Sequence, residues 1–239
     1  MIGSTIQIVE ETGSTNADMA QRVRDGAAQE DQWLVARRQN AGKGRQGREW
    51  FDGSGNFMGS TVVALAEGDP PPATLSFVAA LALYDTLAVV LPPSIRPVLK
   101  WPNDALLAGG KLSGILLELV GKNVVLGIGV NLARAPDLED RKTVAIADHA
   151  PAPDLGWFAD RLADHFSQRL SLWRQAGLAR VLDEFLAGSM HRPGTHVTVH
   201  DTDGSRVEGT FVGLEEIDGA LRLRLADGSE RVIRAGDIV

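Results

Sequence analysis

The chain has 239 residues, 44% of them hydrophobic and 23% charged, a balance that excludes a disordered protein and allows one substantial core plus a small accessory module. Its formal net charge of −7 makes the surface as a whole repel nucleic acid and anionic membranes, so any polyanion site has to be local. The lack of cysteine removes disulfides, thiolate nucleophiles and thiolate zinc sites together, and fits a reducing compartment.

The first residues, Met1 to Ile8, contain neither a basic n-region nor a long apolar stretch. No apolar run is read as approaching the roughly 18 residues that cross a bilayer, so a cytoplasmic protein is expected. Residues 5–9 and 33–38 read as strands. Between them, Ser14 to about Arg24 reads as a short helix stopped at Gly26, with Thr15 and Asp18 as its capping box.

Residues 37–48 form a basic island in this acidic chain, carrying Arg37, Arg38, Lys43, Arg45 and Arg48 without one Asp or Glu. Inside it, Gly42-x-Gly44-x-x-Gly47 has the spacing of a dinucleotide-binding fingerprint, which requires a helix to open within it. The continuation from Arg48 to Asn56 adds two glycines and has no apolar helical period, so a glycine-rich loop is expected instead. No Gly-Lys-Ser or Gly-Lys-Thr is present, and phosphates would have to be gripped by loop N–H groups and guanidinium side chains. A solvated basic hairpin tip is the bland reading of the same loop.

Phe57 to Leu65 reads as a strand, Pro70-Pro71-Pro72 interrupts regular structure, and a helix follows over about Ala73–Val90 until Pro92-Pro93. Next come Lys100-Trp101-Pro102-Asn103-Asp104 and, six residues on, Lys111 to Glu118. Two cations and two carboxylates therefore sit beside apolar runs, where a desolvated ammonium needs an anion. Ile115–Val120 and Asn123–Val130, separated by Gly121-Lys122, read as a buried hairpin. Paired with this stretch, the glycine and arginine loop reads as functional, directed at a phosphate-bearing small molecule.

A long amphipathic helix is predicted over about Asp154–Gln175, with Trp157, Phe158, Leu162, Phe166, Leu170 and Trp173 as core positions, and a shorter one to about Ala187. From His191 the pattern changes to strands separated by Asp203-Gly204, Asp218-Gly219 and Asp227-Gly228, which predicts a small antiparallel barrel. The boundary near residue 191 divides the chain into units of 1–190 and 191–239. The five histidines form no zinc-like constellation, and His196 with His200 reads as a solvated pair on one strand face. No Gly-x-Ser-x-Gly elbow occurs, which disfavours covalent catalysis.

Gly13-Ser14-Thr15-Asn16, the Gly42–Trp50 loop and Lys100–Glu118 together make the chain resemble the biotin protein ligases, also called biotin–[acetyl-CoA-carboxylase] ligases. Gly127-Ile128-Gly129-Val130-Asn131 looks like a fourth family segment. The resemblance implies an α+β fold: a mixed sheet with helices on one side, akin to class II aminoacyl-tRNA synthetases, followed by a C-terminal SH3-like barrel. It implies that biotin and MgATP give biotinyl-5′-AMP, and that a lysine of a biotin carboxyl carrier domain of a biotin-dependent carboxylase then takes the biotinyl group.

By the same resemblance Ser14, Thr15, Asn16, Gln39, Lys43, Gly44, Arg45, Lys111, Gly114 and Ile115 bind biotin. Arg45, Arg48, Trp50, Lys100, Asn103, Asp104, Lys111 and Asn131 bind ATP or the adenylate, with Lys111, Arg45 and Lys100 catalytic and Asp104 a ligand of Mg²⁺. Lys43 stands where the family commonly has arginine, which keeps the charge and loses the bidentate fork. The Ser-Thr-Asn segment begins at residue 14, so no DNA-binding domain and no DNA partner are expected, and the enzyme is taken as a monomer or homodimer. A lipoate or octanoate protein ligase of the same fold is the neighbouring alternative. A nucleic-acid-binding protein using the basic loop is one from a different class.

Overall fold

The computed structural model describes residues 4–51, 53–139, 141–201 and 204–238. The chain runs through β1 (Thr5–Val9), α1 (Thr15–Arg24), β2 (Gln32–Ala36), β3 (Phe57–Ala64), α2 (Leu75–Val90), β4 (Val98–Lys100), β5 (Asp104–Leu107), β6 (Gly110–Val120), β7 (Asn123–Val130), α3 (Leu155–Ala176) and α4 (Leu178–Gly188). Five further strands follow: β8 (His196–Asp201), β9 (Arg206–Leu214), β10 (Leu221–Arg224), β11 (Glu230–Ile233) and β12 (Gly236–Ile238).

The first seven strands form one mixed sheet in the order β1-β2-β3-β7-β6-β5-β4, in which β1 and β2 run parallel and every other neighbour is antiparallel. Side chains alternate between the two faces of a strand, and both faces are used here. Val35, Phe57, Val63, Val124, Leu126 and Ile128 turn to a layer made by α2, α3 and α4. Leu34, Val62 and Val125 turn the other way, onto Met19 and Ala20 of α1. The helical layer expected from the resemblance is therefore accompanied by one short helix on the opposite face, and that helix carries Ser14, Thr15 and Asn16 at its start.

Helix α2 is apolar nearly all round because it lies between the sheet and the other two helices, so no side of it needs to be polar. Residues Pro72–Val90 are in fact long and apolar enough to cross a bilayer, contrary to the sequence reading, but most of this stretch is buried inside the fold. In α3, Phe158, Leu162, Phe166, Leu170 and Trp173 are buried as predicted, whereas Trp157 is 42% exposed. It stands about 100° around the helix from Phe158 and so falls off the apolar stripe.

The expected capping box at α1 is not formed. Ser14 is the cap, its hydroxyl accepting from the Ala17 N–H at 3.4 Å, while the Asp18 carboxylate accepts the Thr12 hydroxyl at 2.5 Å.

The last five strands form an antiparallel sheet ordered β11-β10-β9-β8-β12. Among the described residues β11 and β12 are not paired, so the predicted barrel is an open sheet here. Two of its three expected turns are present. The Asp218 carboxylate accepts from the Ala220 N–H at 3.1 Å, and that of Asp227 from the Ser229 N–H at 2.9 Å. Asp203 of the third lies outside the described residues.

The two sheets are joined at Gly219, whose carbonyl accepts the Trp101 indole N–H at 3.1 Å. Its φ of +70° favours glycine, and a Cβ there would overlap the Phe77 ring. Trp101 itself precedes a cis proline at the corner between β4 and β5.

Asp154 caps α3 by accepting from the Trp157 N–H at 3.0 Å and does not line the cleft described below. Asp154→Ala is expected to lower stability by about 1 kcal/mol, read as an earlier urea midpoint at unchanged m-value.

Candidate active site

A cleft of about 630 Å³ opens on the α1 side of the large sheet, and residues from α1, the basic loop, β3, β5, β6, β7 and β12 line it. Its floor is backbone. A Cβ at Gly129 would fall inside the Trp50 indole, one at Gly114 would meet that ring at 3.1 Å, and one at Gly127 would meet Asn16 Oδ1 at 2.5 Å. These glycines let flat groups lie against the strands, and Trp50 does so with its indole N–H buried and lacking a hydrogen-bond partner.

One end of the cleft is polar and uncharged. Ser14, Thr15, Asn16, Gln39 and Ser60 are buried there; the last four are linked by hydrogen bonds, as buried polar groups must be, and Ser14 accepts from the Ala17 N–H. The Thr15 N–H donates to Gln39 Oε1 at 2.6 Å, and the Thr15 and Ser60 hydroxyls are 2.8 Å apart. Ser60 donates to Asn16 Oδ1 at 2.9 Å, and Asn16 Nδ2 donates to Glu118 Oε2 at 2.5 Å. The sequence reading found four of these five cleft residues and missed Ser60, which sits inside an apolar strand with no motif around it.

The other end is cationic. Lys111 Nζ meets Asp104 Oδ1 at 2.6 Å, across a β5–β6 register shift of the kind that re-aims a side chain. Arg45 leaves a single 3₁₀ turn, Arg45–Gly47, and its Nη1 donates to Asn103 Oδ1 at 2.9 Å and Asp237 Oδ1 at 3.2 Å. Arg48 Nη2 takes the second oxygen of the same carboxylate at 2.7 Å. Apart from that one 3₁₀ turn no α-helix opens inside the glycine loop, as expected for a loop that is not a dinucleotide fingerprint.

Asp237, on β12 of the second sheet, escaped the sequence reading because nothing adjacent to it in the chain is part of a motif. Burial pushes its carboxyl upward. The Arg48 hydrogen bond and the charges of Arg45, Arg48 and Lys111 outweigh that effect and hold it below the ordinary aspartate range.

Other predicted residues occupy less direct positions. Asn103 lines the cleft while anchoring Arg45, its own Nδ2 donating to the Ile115 carbonyl at 2.6 Å. Asn131 donates to the Val144 carbonyl at 3.2 Å, and its buried Oδ1 has no partner. Lys43, Gly44 and Ile115 line the cleft. Lys100 stands on β4, paired with Asp104 and outside the cleft lining. Burial lowers its ammonium pKa against the pull of Asp104 and Asp237, and Lys111 and Arg141 add to the lowering.

The basic island is not one surface, since Arg37 and Arg38 pair with Glu10 and Glu11 while Lys43, Arg45 and Arg48 turn to the cleft. Among the described residues no three His, Asp or Glu side chains gather as a metal cluster. The arrangement suits a molecule with a polar uncharged head, a carboxylate that reaches Lys111, and phosphates held by the arginines.

Comparison with known proteins agrees with this geometry. Residues 9–133 match the Biotin/lipoate A/B protein ligase family, and residues 194–239 match the Biotin protein ligase C terminal domain. A biotin--[acetyl-CoA-carboxylase] ligase of Paracoccus denitrificans is 40% identical over 95% of this chain and 97% of its own, and one of Mycobacterium tuberculosis is 36% identical over 98% and 88%. The fold is similar to that of the Aquifex aeolicus biotin protein ligase in complex with biotin and ATP, with a TM-score of 0.84 at 22% identity, covering 98% of this chain and 97% of that one. The Leishmania major biotin protein ligase in complex with biotinyl-5-AMP gives 0.68 at 26% identity, with 97% and 99% covered.

A carboxylate with a lowered pKa adds stability that is fully present above its unfolded value, near 3.9, and is lost as pH falls through the lower folded value. Wild type should therefore melt above the Asp237→Asn variant at about pH 6, and the gap should close as the pH drops below about 4 in thermal scans across pH.

Proposed function

The chain belongs to the biotin/lipoate A/B protein ligase family, and on that premise we propose that it activates biotin with ATP as biotinyl-5′-AMP and transfers the biotinyl group to a lysine of a biotin carboxyl carrier domain. The observation that carries the reading is the convergence of Arg45, Arg48 and Lys111, from separate stretches of chain, on one glycine-floored cleft beside a neutral polar pocket.

Biotin's carboxylate and the ATP triphosphate repel each other, and fixed cations remove that repulsion before reaction. Lys111 exchanges Asp104 for the biotin carboxylate, one oxygen of which attacks the α-phosphorus as pyrophosphate leaves. Arg45 and Arg48 exchange the Asp237 carboxylate for phosphate oxygens, so charge-assisted bonds already present are redirected. Trp50, Asn131 and Asn103 bound the nucleotide end, and Lys100 adds positive potential behind Asp104. In the second step the acceptor amine attacks the anhydride carbonyl and AMP leaves. Lys43 and Gly44, at the lip of the loop, retain the adenylate.

Of the carboxylates lining the cleft, Asp104 beside Lys111 is the one we assign to Mg²⁺, an ion that takes one or two protein carboxylates together with substrate phosphates and water, so the donor set fits. When bound, the ion supplies charge neutralisation at the phosphates.

The buried relay from Gln39 to Asn16 favours biotin over lipoate or octanoate, because only a ureido ring brings donors and an acceptor to it. An alkyl or dithiolane head would offer nothing to the spare hydrogen-bonding capacity of those groups and would still displace water from it. Ser14, Thr15, Asn16 and Gln39 hold that ring, with Gly114 and Ile115 beneath the chain of the ligand. We assign residues 1–190 to the catalytic unit and 191–239 to the second unit, place the reaction in the cytoplasm, and take a biotin-dependent carboxylase as the partner.

Labelled biotin, and not lipoate, should pass to a carrier domain in the presence of MgATP with release of pyrophosphate; transfer of lipoate instead would reject the assignment. Lys111→Ala should lower the rate of adenylate formation roughly tenfold to a hundredfold, measured by pyrophosphate release, as expected for loss of one charge-assisted contact.

A further inference from the structure

Glu118 lies on β6, exposed and outside the lining of the cleft, yet its carboxylate is the last member of the buried relay. A carboxylate only accepts hydrogen bonds, so it compels Asn16 to turn its NH₂ outward. Asn16 Oδ1 is then left above Gly127 in the cleft floor, where it accepts the Ser60 hydroxyl at 2.9 Å. With its hydrogen spent there, Ser60 accepts from Thr15 across 2.8 Å.

The rest of the relay does not choose this direction. With the amide turned over, Asn16 would donate to Ser60, Ser60 to Thr15, and Thr15 to Gln39 Oε1, which lies 3.0 Å from the Thr15 hydroxyl. Both polarities satisfy every group between Gln39 and Ser60. Glu118 breaks the tie, through a charge-assisted bond that the reversed amide would replace by oxygen facing oxygen.

We propose that Glu118 is a positioning residue for the biotin pocket: it locks the amide of Asn16 so that the cleft floor presents an acceptor to the N–H groups of a ureido ring. The inference rests on the reading of biotin as substrate. Without Glu118 the amide is free to present its NH₂ to the same ring, and donor meets donor. A ligand with no N–H on its head is indifferent to the change.

The test is steady-state kinetics and biotin titration of wild type, Glu118→Ala and Glu118→Gln in the full-length enzyme. Glu118→Ala should raise the biotin KM about tenfold, with kcat and the ATP KM within about twofold, and leave octanoate binding unchanged. Glu118→Gln, which can still accept through Oε1, should recover the biotin KM to within about threefold of wild type. An unchanged biotin KM in Glu118→Ala overturns the proposal, and so does an equal loss of ATP and biotin affinity, which marks a merely structural role. Wild type that fails to bind biotin overturns the substrate reading itself and is visible before any variant is made.

Discussion

Cations gathered in one cleft repel one another, and two carboxylates hold this group together. Asp104 takes Lys111, and Asp237 bridges Arg45 and Arg48 from the far sheet. Each carboxylate occupies a cation that the substrates' own anions need, so the resting site is already arranged for negative charge. Little reorganisation is then required when a carboxylate and phosphates arrive, which is the condition under which fixed charges act most strongly. The same bridge makes the second sheet part of the site, because Gly236 and Asp237 together receive three hydrogen bonds from the loop arginines.

The large sheet sets the stage for this by separating its two faces. Its helical side carries the core, with α2 enclosed between the sheet and α3 and α4. The α1 side is left open, and glycines at 114, 127 and 129 leave room for a ring to lie directly on the strand backbone there, as Trp50 does at Gly129. The open face therefore offers both a flat surface for rings and the N-terminal turn of α1, where Ser14, Thr15 and Asn16 converge on Ser60 and Gln39. A neutral polar pocket and a cationic one at opposite ends of one floor impose the orientation in which an amphiphilic acid must enter.

Much of the fold was legible along the chain. β1 and β7 match the sequence reading, and β3 and the four α-helices lie within a few residues of it, because local apolar periodicity and proline or glycine breaks carry the signal. Trp157 was misread because one residue of helical phase separates core from solvent. The capping box at Thr15 failed because Asp18 found a nearer donor in Thr12, a contact that depends on where the preceding loop runs. The membrane-length stretch of α2 was missed because burial of most of it between the sheet and the other helices, not lipid, explains its composition.

By itself the sequence determined the elements, the basic glycine loop, the two lysines and the carboxylate Asp104, since each of these is a matter of residue type and short-range spacing. Only the tertiary structure decided that Asp237 serves Arg45 and Arg48, that Ser60 and Glu118 complete the relay through Asn16, and that Arg37 and Arg38 turn away from the cleft. These contacts join residues from about 27 to nearly 200 positions apart, and the chain carries no local trace of which partner a charge or a hydroxyl will meet once strands are paired and one sheet is laid against the other.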